Sequence, residues 1–582
     1  MLPLTMAGLG VREGAMIPLV SGYGVAPVTA VTFSLPLLRC GVVVALAGGR
    51  QAMNSMSPER TRVLMIGLDA GDPELMERWT GDGTLPHLAS IRAKGVFGRL
   101  DSSARYMAGS PWPTMYTGRD VSSHGLYHDF QWRHEDMGFA APDEHWMNLT
   151  PFWRHLEGEI DVVACDIPFT PTCSPFRGLE ISGWASHDKL APLSSYPPDL
   201  VATAQRRFGQ WAVSYEGFGQ GRINDLLALR REMLQNTHRS AELAEWLLTH
   251  PWRLAIVCFS APHRGGHRLW DRSSIKGPCS EAEGAEFDGA LRDVYVACDQ
   301  AIGRLTAAHP DACVLVFSTH GMMVNTSRAD FLDDMLVRVL AGGEGGRRPV
   351  SLSRRVGEAL PDAWRRAMTM AIPAQLRNRL VTLWSAGAID WQKTRAFCCR
   401  ADLHGYVRIN LKGREPLGIV EPGPEFDALC SRIAEGLSSF RDADTGEPLV
   451  EAVCRADYVF PDGPYRDRLP DLIVQWRQTP AAPHRAVSAP GFGVIHRSTP
   501  GRMPNGRSGN HRGEGFLIAR GPGIPPGETI TGHPHIRDLA PTVLARLGVS
   551  CTVPLTGTAI KELAPMPIVG PSVGRAGNPW PR

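Results

Sequence analysis

Apolar residues in this chain fall into two alternating patterns. Mostly apolar runs of five to seven residues stand at 62–68, 161–166, 254–259 and 313–317, and they are rich in Val, Ile, Leu and Cys. Such runs, without polar alternation, read as strands buried on both faces of a sheet. Between them, 225–250 and 287–308 repeat apolar positions every three or four residues, the helical period. The segment 74–94 has the same period, with Pro86 early in it. Strands alternating with helices predict an α/β fold with a mostly parallel central sheet and helices on both faces.

The pattern changes after residue 340. Across 341–393 glycine gives way to arginine pairs (Arg347-Arg348, Arg354-Arg355, Arg365-Arg366) set among Leu, Val, Trp and Met. This predicts two or three amphipathic helices inserted as a cap over the core, either as a solvated face or as a basic lid over an anionic substrate. Residues 394–563 carry β-like segments at 405–411 and 471–474 and complete the core. The expected organisation is a leader over 1–58, a first part of the core over 59–340, the basic insertion, the remainder of the core, and a tail over 564–582. The tail is Pro- and Gly-rich and reads as disordered. In the leader, 24–49 is apolar, but Arg39 interrupts it and Gly, Pro and Thr dilute it. A membrane-spanning helix needs roughly 20 mostly apolar residues without a central charge. An export signal places its basic residues before the apolar run. The leader is therefore read as an over-extended start, with Met53 or Met56 as the natural one and a membrane anchor as the lesser alternative. The chain has no internal repeat.

Composition narrows the class without choosing the chemistry. The 582 residues are enough for a large α/β domain with insertions, and 43% hydrophobic with 21% charged is ordinary for a globular protein. Lys plus Arg (61) nearly balances Asp plus Glu (59), so net charge implies no nucleic-acid partner. The twelve cysteines form no CxxC pair. Cys165, Cys258 and Cys313 sit inside apolar runs as small hydrophobes, and Cys398 and Cys399 are expected on opposite faces of one strand. Reduced, structural thiols favour the cytoplasm.

Candidate chemistry collects where the apolar runs stop. Ligands of an open α/β sheet lie outside the carboxyl ends of its strands. Val63-Leu64-Met65-Ile66-Gly67-Leu68 ends on Asp69, and Phe259 is followed by Ser260-Ala261-Pro262-His263-Arg264-Gly265-Gly266-His267. Val314-Leu315-Val316-Phe317-Ser318 leads to Thr319-His320-Gly321, and a late Gly509-Asn510-His511-Arg512 adds one more histidine. One Asp and four His from four separate places describe a metal site, although any one of them alone is weak evidence.

These motifs resemble the alkaline phosphatase superfamily, in particular the branch of type I phosphodiesterases, nucleotide pyrophosphatases and related phosphohydrolases. Trp112-Pro113-Thr114-Met115-Tyr116-Thr117-Gly118 with His124-Gly125 resembles the family's nucleophile helix. Asp538-Leu539-Ala540-Pro541-Thr542-Val543-Leu544 resembles its closing helix. Asn410-Leu411-Lys412-Gly413-Arg414-Glu415 is similar to a stretch of the phosphohydrolase branch, with no catalytic role implied. The resemblance runs in the family's order from about residue 62 to 549 and implies an alkaline phosphatase-like fold. It also implies two divalent metals, usually zinc, flanking a nucleophile. Manganese and iron suit the same ligands, so the residues alone do not choose the ion.

Carried over residue by residue, His263 and His267 fill the slot of an Asp-x-x-x-His pair, with His in place of the Asp. His511 matches the late histidine. The three would make a site with an open position, suited to activating water. Asp69 matches the first-strand carboxylate of the second site, and His320 matches the histidine of an Asp-His pair whose Asp is here Thr319. A neutral hydroxyl replaces an anionic oxygen, so the expectation is one tight metal site and a weaker second. The nucleophile departs further. The family register, nine residues before Thr117, falls on Ala108, which has no nucleophilic atom. Ser110 is the candidate if the register shifts locally to the helix N-terminus; otherwise water attacks. His124, His128, His533, His535 and Asp166 lie in or near these motifs, with hydrogen-bonding roles favoured for the histidines and a pocket or a turn equally open for Asp166.

The resemblance implies a metal-dependent hydrolase of phosphate mono- or diesters, with phosphonate and sulfate esters as variants. A phospho-group transferase or mutase is the enzymatic alternative, because an acceptor other than water can capture a covalent intermediate. A catalytically silent member that binds a phosphorylated ligand or partner is the alternative that Ala108 and Thr319 favour. The expected partner is a small phosphate ester, not nucleic acid or a membrane. The substrate itself resides in insertions and pocket loops and is not legible from the fold; nor is the oligomeric state.

Overall fold

In a computed structural model of the protein, the described residues are 61–143, 146–186, 188–209, 219–344, 389–497 and 502–564. The chain divides between residues 61 and 62, and the fold below belongs to the unit that starts at Arg62. The expected leader, the basic insertion up to residue 388 except its first four residues, and the tail beyond 564 lie outside the described residues.

A nine-stranded sheet forms the centre. Its order across the sheet is Glu528–Thr529, Val96–Asp101, Glu514–Arg520, Cys313–Ser318, Val63–Leu68, Leu254–Phe259, Val162–Cys165, Gly178–Ser182 and Ser194–Tyr196. The Val63 strand pairs in parallel with both the Leu254 and Cys313 strands, and the Val162 strand continues the parallel run. The Glu514 and Ser194 strands are antiparallel additions. All six residues of the Val63 strand are buried. Leu64, Ile66 and Leu68 enter one apolar cluster while Val63 and Met65 enter another on the opposite face. This alternation is why the strand reads as uninterrupted hydrophobe: helices cover both sides. Helices Ile223–Leu247 and Ala290–Ala308 pack on the first face, and Leu539–Leu547 on the second.

Two sequence expectations change in detail. The helical stretch over 74–94 is two helices, Pro73–Gly81 and Pro86–Ala93. Gly81-Asp82-Gly83-Thr84 breaks it, with Gly83 at φ 84°, and Pro86 opens the second helix, where its missing N–H costs nothing. The helix expected at 287–308 begins at Ala290, and a separate helix Glu281–Asp288 with a Ser280–Glu283 capping box precedes it.

The segment after 389 builds a second layer. A four-stranded antiparallel sheet (Ala396–Cys399, Gly405–Ile409, Leu472–Trp476, Val450–Arg455) packs against helices Ala329–Ala341 and Pro424–Ser438 around its own apolar cluster. Cys399 is buried and Cys398 partly so, and the eleven cysteines among the described residues are free thiols. Among the described residues, no helix is long and apolar enough to cross a membrane.

Candidate metal centre

The Cys313, Val63 and Leu254 strands are adjacent and parallel, so their carboxyl ends share one edge of the sheet. Asp69, Thr319-His320 and the helix Ala261–Arg268 leave from that edge. The helix presents His263 and His267 four residues apart, one above the other on a single face. His511 arrives on the strand Gly509–Arg512, which pairs antiparallel with Gly321–Val324 and sets His511 opposite Met322. Gly509 is needed where this strand meets the helix, since a Cβ there would lie 2.1 Å from the Gly266 carbonyl oxygen. Ser508 N–H donates to the His267 carbonyl at 2.9 Å and closes the junction.

The result is a cluster of four imidazoles, all buried. Ring centroids are 4.9 Å apart for His263–His267, 5.0 Å for His263–His511 and 4.8 Å for His267–His511. The ligand atoms of these three lie within 4.8 Å of one another. The His320 ring lies tilted 4.8 Å from His511 and edge-on 5.9 Å from His263. Its Nδ1 is bonded to the Thr319 hydroxyl at 3.1 Å, and its buried Nε2 has no hydrogen-bond partner.

Hydrogen bonds around the cluster fix which ring nitrogens carry protons. His263 Nδ1 donates to Asp69 Oδ2 at 2.9 Å, and His267 Nδ1 donates to the Gly509 carbonyl at 3.0 Å. A carboxylate and a carbonyl only accept, so both rings carry a proton on Nδ1. Their Nε2 atoms face each other at 3.1 Å, where a proton or a metal ion between them satisfies both. Burial pushes both His267 and His511 well below their ordinary pKa, so these two rings are neutral and can offer lone pairs to a cation. Imidazole nitrogens sharing one tetrahedral ion, each ~2.0–2.1 Å from it, would stand ~3.3 Å apart, close to the spacing observed. The buried Nδ1 of His511 has no hydrogen-bond partner and completes a donor set that fits a divalent metal.

Asp69 is fully buried. Burial pushes its carboxyl up, but the charge and hydrogen bond of His263 outweigh that and hold it below the usual range. Its Oδ1 accepts from the Trp112 indole N–H at 2.7 Å. Both oxygens are thus engaged, and Asp69 stands behind His263 as the carboxylate of a carboxylate–histidine pair. Burial likewise pushes His320 down to about 4.

Ser110 is placed differently from the other candidates. It is fully buried at the N-terminus of the helix Pro111–Thr117, and its hydroxyl bonds to Ser103 Oγ and to the Met107 carbonyl, each at 2.7 Å. Ser103 contacts Thr114 Oγ1 at 3.1 Å, and Thr114 contacts His124 Nε2 at 3.0 Å. Leu126 N–H donates to His124 Nδ1, so Nε2 carries the proton. His124 thus donates to Thr114, and the Ser110 hydroxyl donates within its own surroundings, to Ser103 Oγ and the Met107 carbonyl, with no base beside it to take its proton. Ala108, at the family register, is buried and its N–H lies 3.3 Å from the Tyr406 hydroxyl.

His511 also forms part of the wall of a cavity of about 670 Å³, together with Arg105, Tyr106, His404, Arg477 and Arg512. Arginine around such a cavity suits an anionic substrate.

Two site residues were not found from sequence. Trp112 entered only as part of a recognition motif, and its indole contact to Asp69 spans 43 positions. Asp188 lies with Asp69 and His263 in a second group of ligand atoms within 4.8 Å. It follows no apolar run, so the strand-end signal passes over it. Asp166 takes the turn role: its oxygens accept from Trp184 N–H and Ala185 N–H, both at 2.7 Å. His533 is exposed, and His535 borders a separate cavity of about 270 Å³ with Ser103 and Thr114.

The sequence matches the family described as Type I phosphodiesterase / nucleotide pyrophosphatase over residues 63–479. Among curated proteins, none matches the chain. Several solved structures are similar. Murine ectonucleotide pyrophosphatase / phosphodiesterase 5, as an inactive variant in complex with AMP, is 15% identical, with 86% of this chain and 98% of that chain covered and a TM-score of 0.42. The human ectonucleotide pyrophosphatase / phosphodiesterase 5 is 14% identical, with coverages of 86% and 97% and a TM-score of 0.41. Phosphonoacetate hydrolase from Sinorhizobium meliloti 1021, in complex with phosphonoformate, is 10% identical, with coverages of 84% and 97% and a TM-score of 0.43.

Proposed function

The chain belongs to the type I phosphodiesterase / nucleotide pyrophosphatase family, enzymes of the alkaline phosphatase superfamily, and from that premise we propose that it is a metal-dependent hydrolase of phosphate mono- or diesters in which water is the attacking group. The observation that carries this reading is the convergence of the His263 and His267 Nε2 atoms, held face to face at 3.1 Å by fixed partners behind each ring, with His511 beside them. His263, His267 and His511 would hold a divalent metal, with zinc favoured by an all-nitrogen donor set. When bound, such an ion polarises a phosphoryl oxygen and lowers the pKa of water.

The chain's own residues do the rest. Asp69 and the Gly509 carbonyl orient the two helix imidazoles, and Trp112 orients Asp69. Arg105, Arg477 and Arg512 line the adjoining cavity and favour an anionic ester. Ala108 supplies no nucleophile, and the Ser110 hydroxyl is fully buried and bonded to Ser103 and Met107, which supports water over a serine ester. A second ion would find Asp69 already engaged on both oxygens and a neutral Thr319 beside His320, so the second site is weaker. Phosphonate or sulfate esters would use the same elements.

The test is hydrolysis of bis(p-nitrophenyl) phosphate and p-nitrophenyl phosphate by chelator-stripped protein titrated with zinc or manganese. Turnover is expected to return with the first equivalent and to be little changed by a second, weaker one. Full turnover by the stripped protein would overturn metal dependence. No hydrolysis with any metal would favour a silent member that binds a phosphorylated ligand, the reading that Ala108 otherwise supports.

A further inference from the structure

Around the four imidazoles of the candidate centre Asp69 supplies one carboxylate, at His263, and the structure brings a second close to the same ring. Asp188 Oδ2 lies 3.7 Å from His263 Nδ1, on the nitrogen that also donates to Asp69 Oδ2 at 2.9 Å. The loop that carries it is held at several points. Asp166, at φ 59° and 2% exposed, accepts from Trp184 N–H and Ala185 N–H at 2.7 Å. Lys189 Nζ donates to the Gly183 carbonyl at 2.8 Å, and Phe169 N–H donates to the Asp188 carbonyl at 3.1 Å. Asp166 and Phe169 are both non-glycine residues with positive φ. Strain of that kind persists only where the surroundings hold it, and here it shapes the segment that delivers Asp188 to His263.

Asp69, Asp188 and His263 could by themselves be taken for a second metal-binding group. The hydrogen bonds favour another arrangement, because His263 Nδ1 donates to Asp69 and its Nε2 is the nitrogen that faces His267. Resting on the proposed three-histidine site, we propose that Asp188 is a positioning residue of the metal centre. With Asp69 it flanks the His263 N–H, fixes the ring with Nε2 toward His267 and His511, and adds a second negative charge beside it. Outer-shell carboxylates of this kind typically change metal affinity 10–100-fold.

The experiment uses the full chain and compares Asp188→Asn and Asp188→Glu with the parent. It reads zinc affinity by competition with a chromogenic chelator, the visible spectrum of the cobalt(II) form, and urea unfolding of the metal-free protein. Asp188→Asn is expected to weaken zinc about 10-fold or more and to alter the cobalt spectrum, with metal-free unfolding unchanged; Asp188→Glu should recover much of the affinity. Unchanged zinc affinity in Asp188→Asn would overturn the assignment. So would weakening matched by an equal loss of metal-free stability and not recovered by Glu, which would make Asp188 a loop anchor only. His511→Ala separates the two readings: if it keeps full zinc affinity, the three-histidine site itself has failed. If it loses zinc while Asp188→Asn does not, only the inference about Asp188 has failed.

Discussion

At the scale of single residues, the decisive contrast is between His263 and Ser110. Each is buried near a strand or helix end, yet their hydrogen bonds commit them oppositely. His263 donates from Nδ1 to Asp69 and turns its Nε2 to His267. Ser110 donates to the Met107 carbonyl and to Ser103 Oγ. Ser110→Ala is therefore expected to keep most of the turnover of a phosphate diester. Its cost falls on stability, about 1 kcal/mol for a lost buried hydrogen bond, read by urea unfolding. Hydrolysis of a chiral phosphorothioate diester by this route should invert phosphorus. An inactive Ser110→Ala variant that still binds metal, with retention in the parent, would mean that a serine ester forms. The histidines were legible because each follows an apolar run or lies in a recognisable late motif. Asp188 and the donor role of Trp112 were not, since contacts across 75 and 43 positions leave no local pattern.

At the scale of elements, one short strand completes the site. The strand Gly509–Arg512 carries His511, pairs with Gly321–Val324, and offers the Gly509 carbonyl to His267. Its backbone comes so near the helix Ala261–Arg268 that a Cβ at Gly509 would meet Gly266 O at 2.1 Å. Backbone cannot yield as a flexible side chain can. Gly509→Ala is expected to cost roughly 1–3 kcal/mol and to weaken metal binding more than a cost of that size elsewhere would. Differential scanning calorimetry with and without zinc checks this, and an unchanged zinc-dependent shift in Tm would contradict it. The strands of the central sheet could be read from sequence because both faces are covered, which leaves unbroken apolar runs. Helix limits were harder: the Gly81–Thr84 break and the Gly289 junction interrupt an apolar period that the flanking helices share. The pairing of Gly509–Arg512 with Gly321–Val324 was not legible, because Gly-Asn-His-Arg has neither the composition nor the alternation of a strand and its partner is far away in the chain.

At the scale of the whole molecule, buried ionisable groups set how stability follows pH. Burial pushes His124 to about 3 and His404 and His535 to about 4, from an ordinary 6.5. Below pH 6.5 the unfolded chain binds protons that the folded chain refuses, so their contribution is intact above 6.5 and lost as pH falls toward 4. In the metal-free protein buried His267, His320 and His511 add to these three, while Asp72, pushed by burial to about 6 from 3.8, acts in the opposite direction over part of that window, as do the buried carboxyls of Asp166, Glu180 and Asp299. On the alkaline side, burial opposes a charged His128, but Asp129 and Asp402 outweigh it and hold it at about 10. Its contribution is full below 6.5 and lost as pH rises through 10. The metal-free protein should be most stable near pH 6.5 and should lose on the order of 1 kcal/mol per pH unit on the acid side. Urea unfolding across pH checks this, and a flat profile between 4.5 and 6.5 would contradict it. The same burial keeps His267, His320 and His511 neutral and ready for a cation, so the most direct measurement is the metal content of the purified protein beside its His511→Ala variant. Elemental analysis should find one tightly held divalent ion per chain in the parent and almost none in the variant. A parent without metal that takes up none on incubation with zinc, or a variant that keeps a full equivalent, would contradict the account.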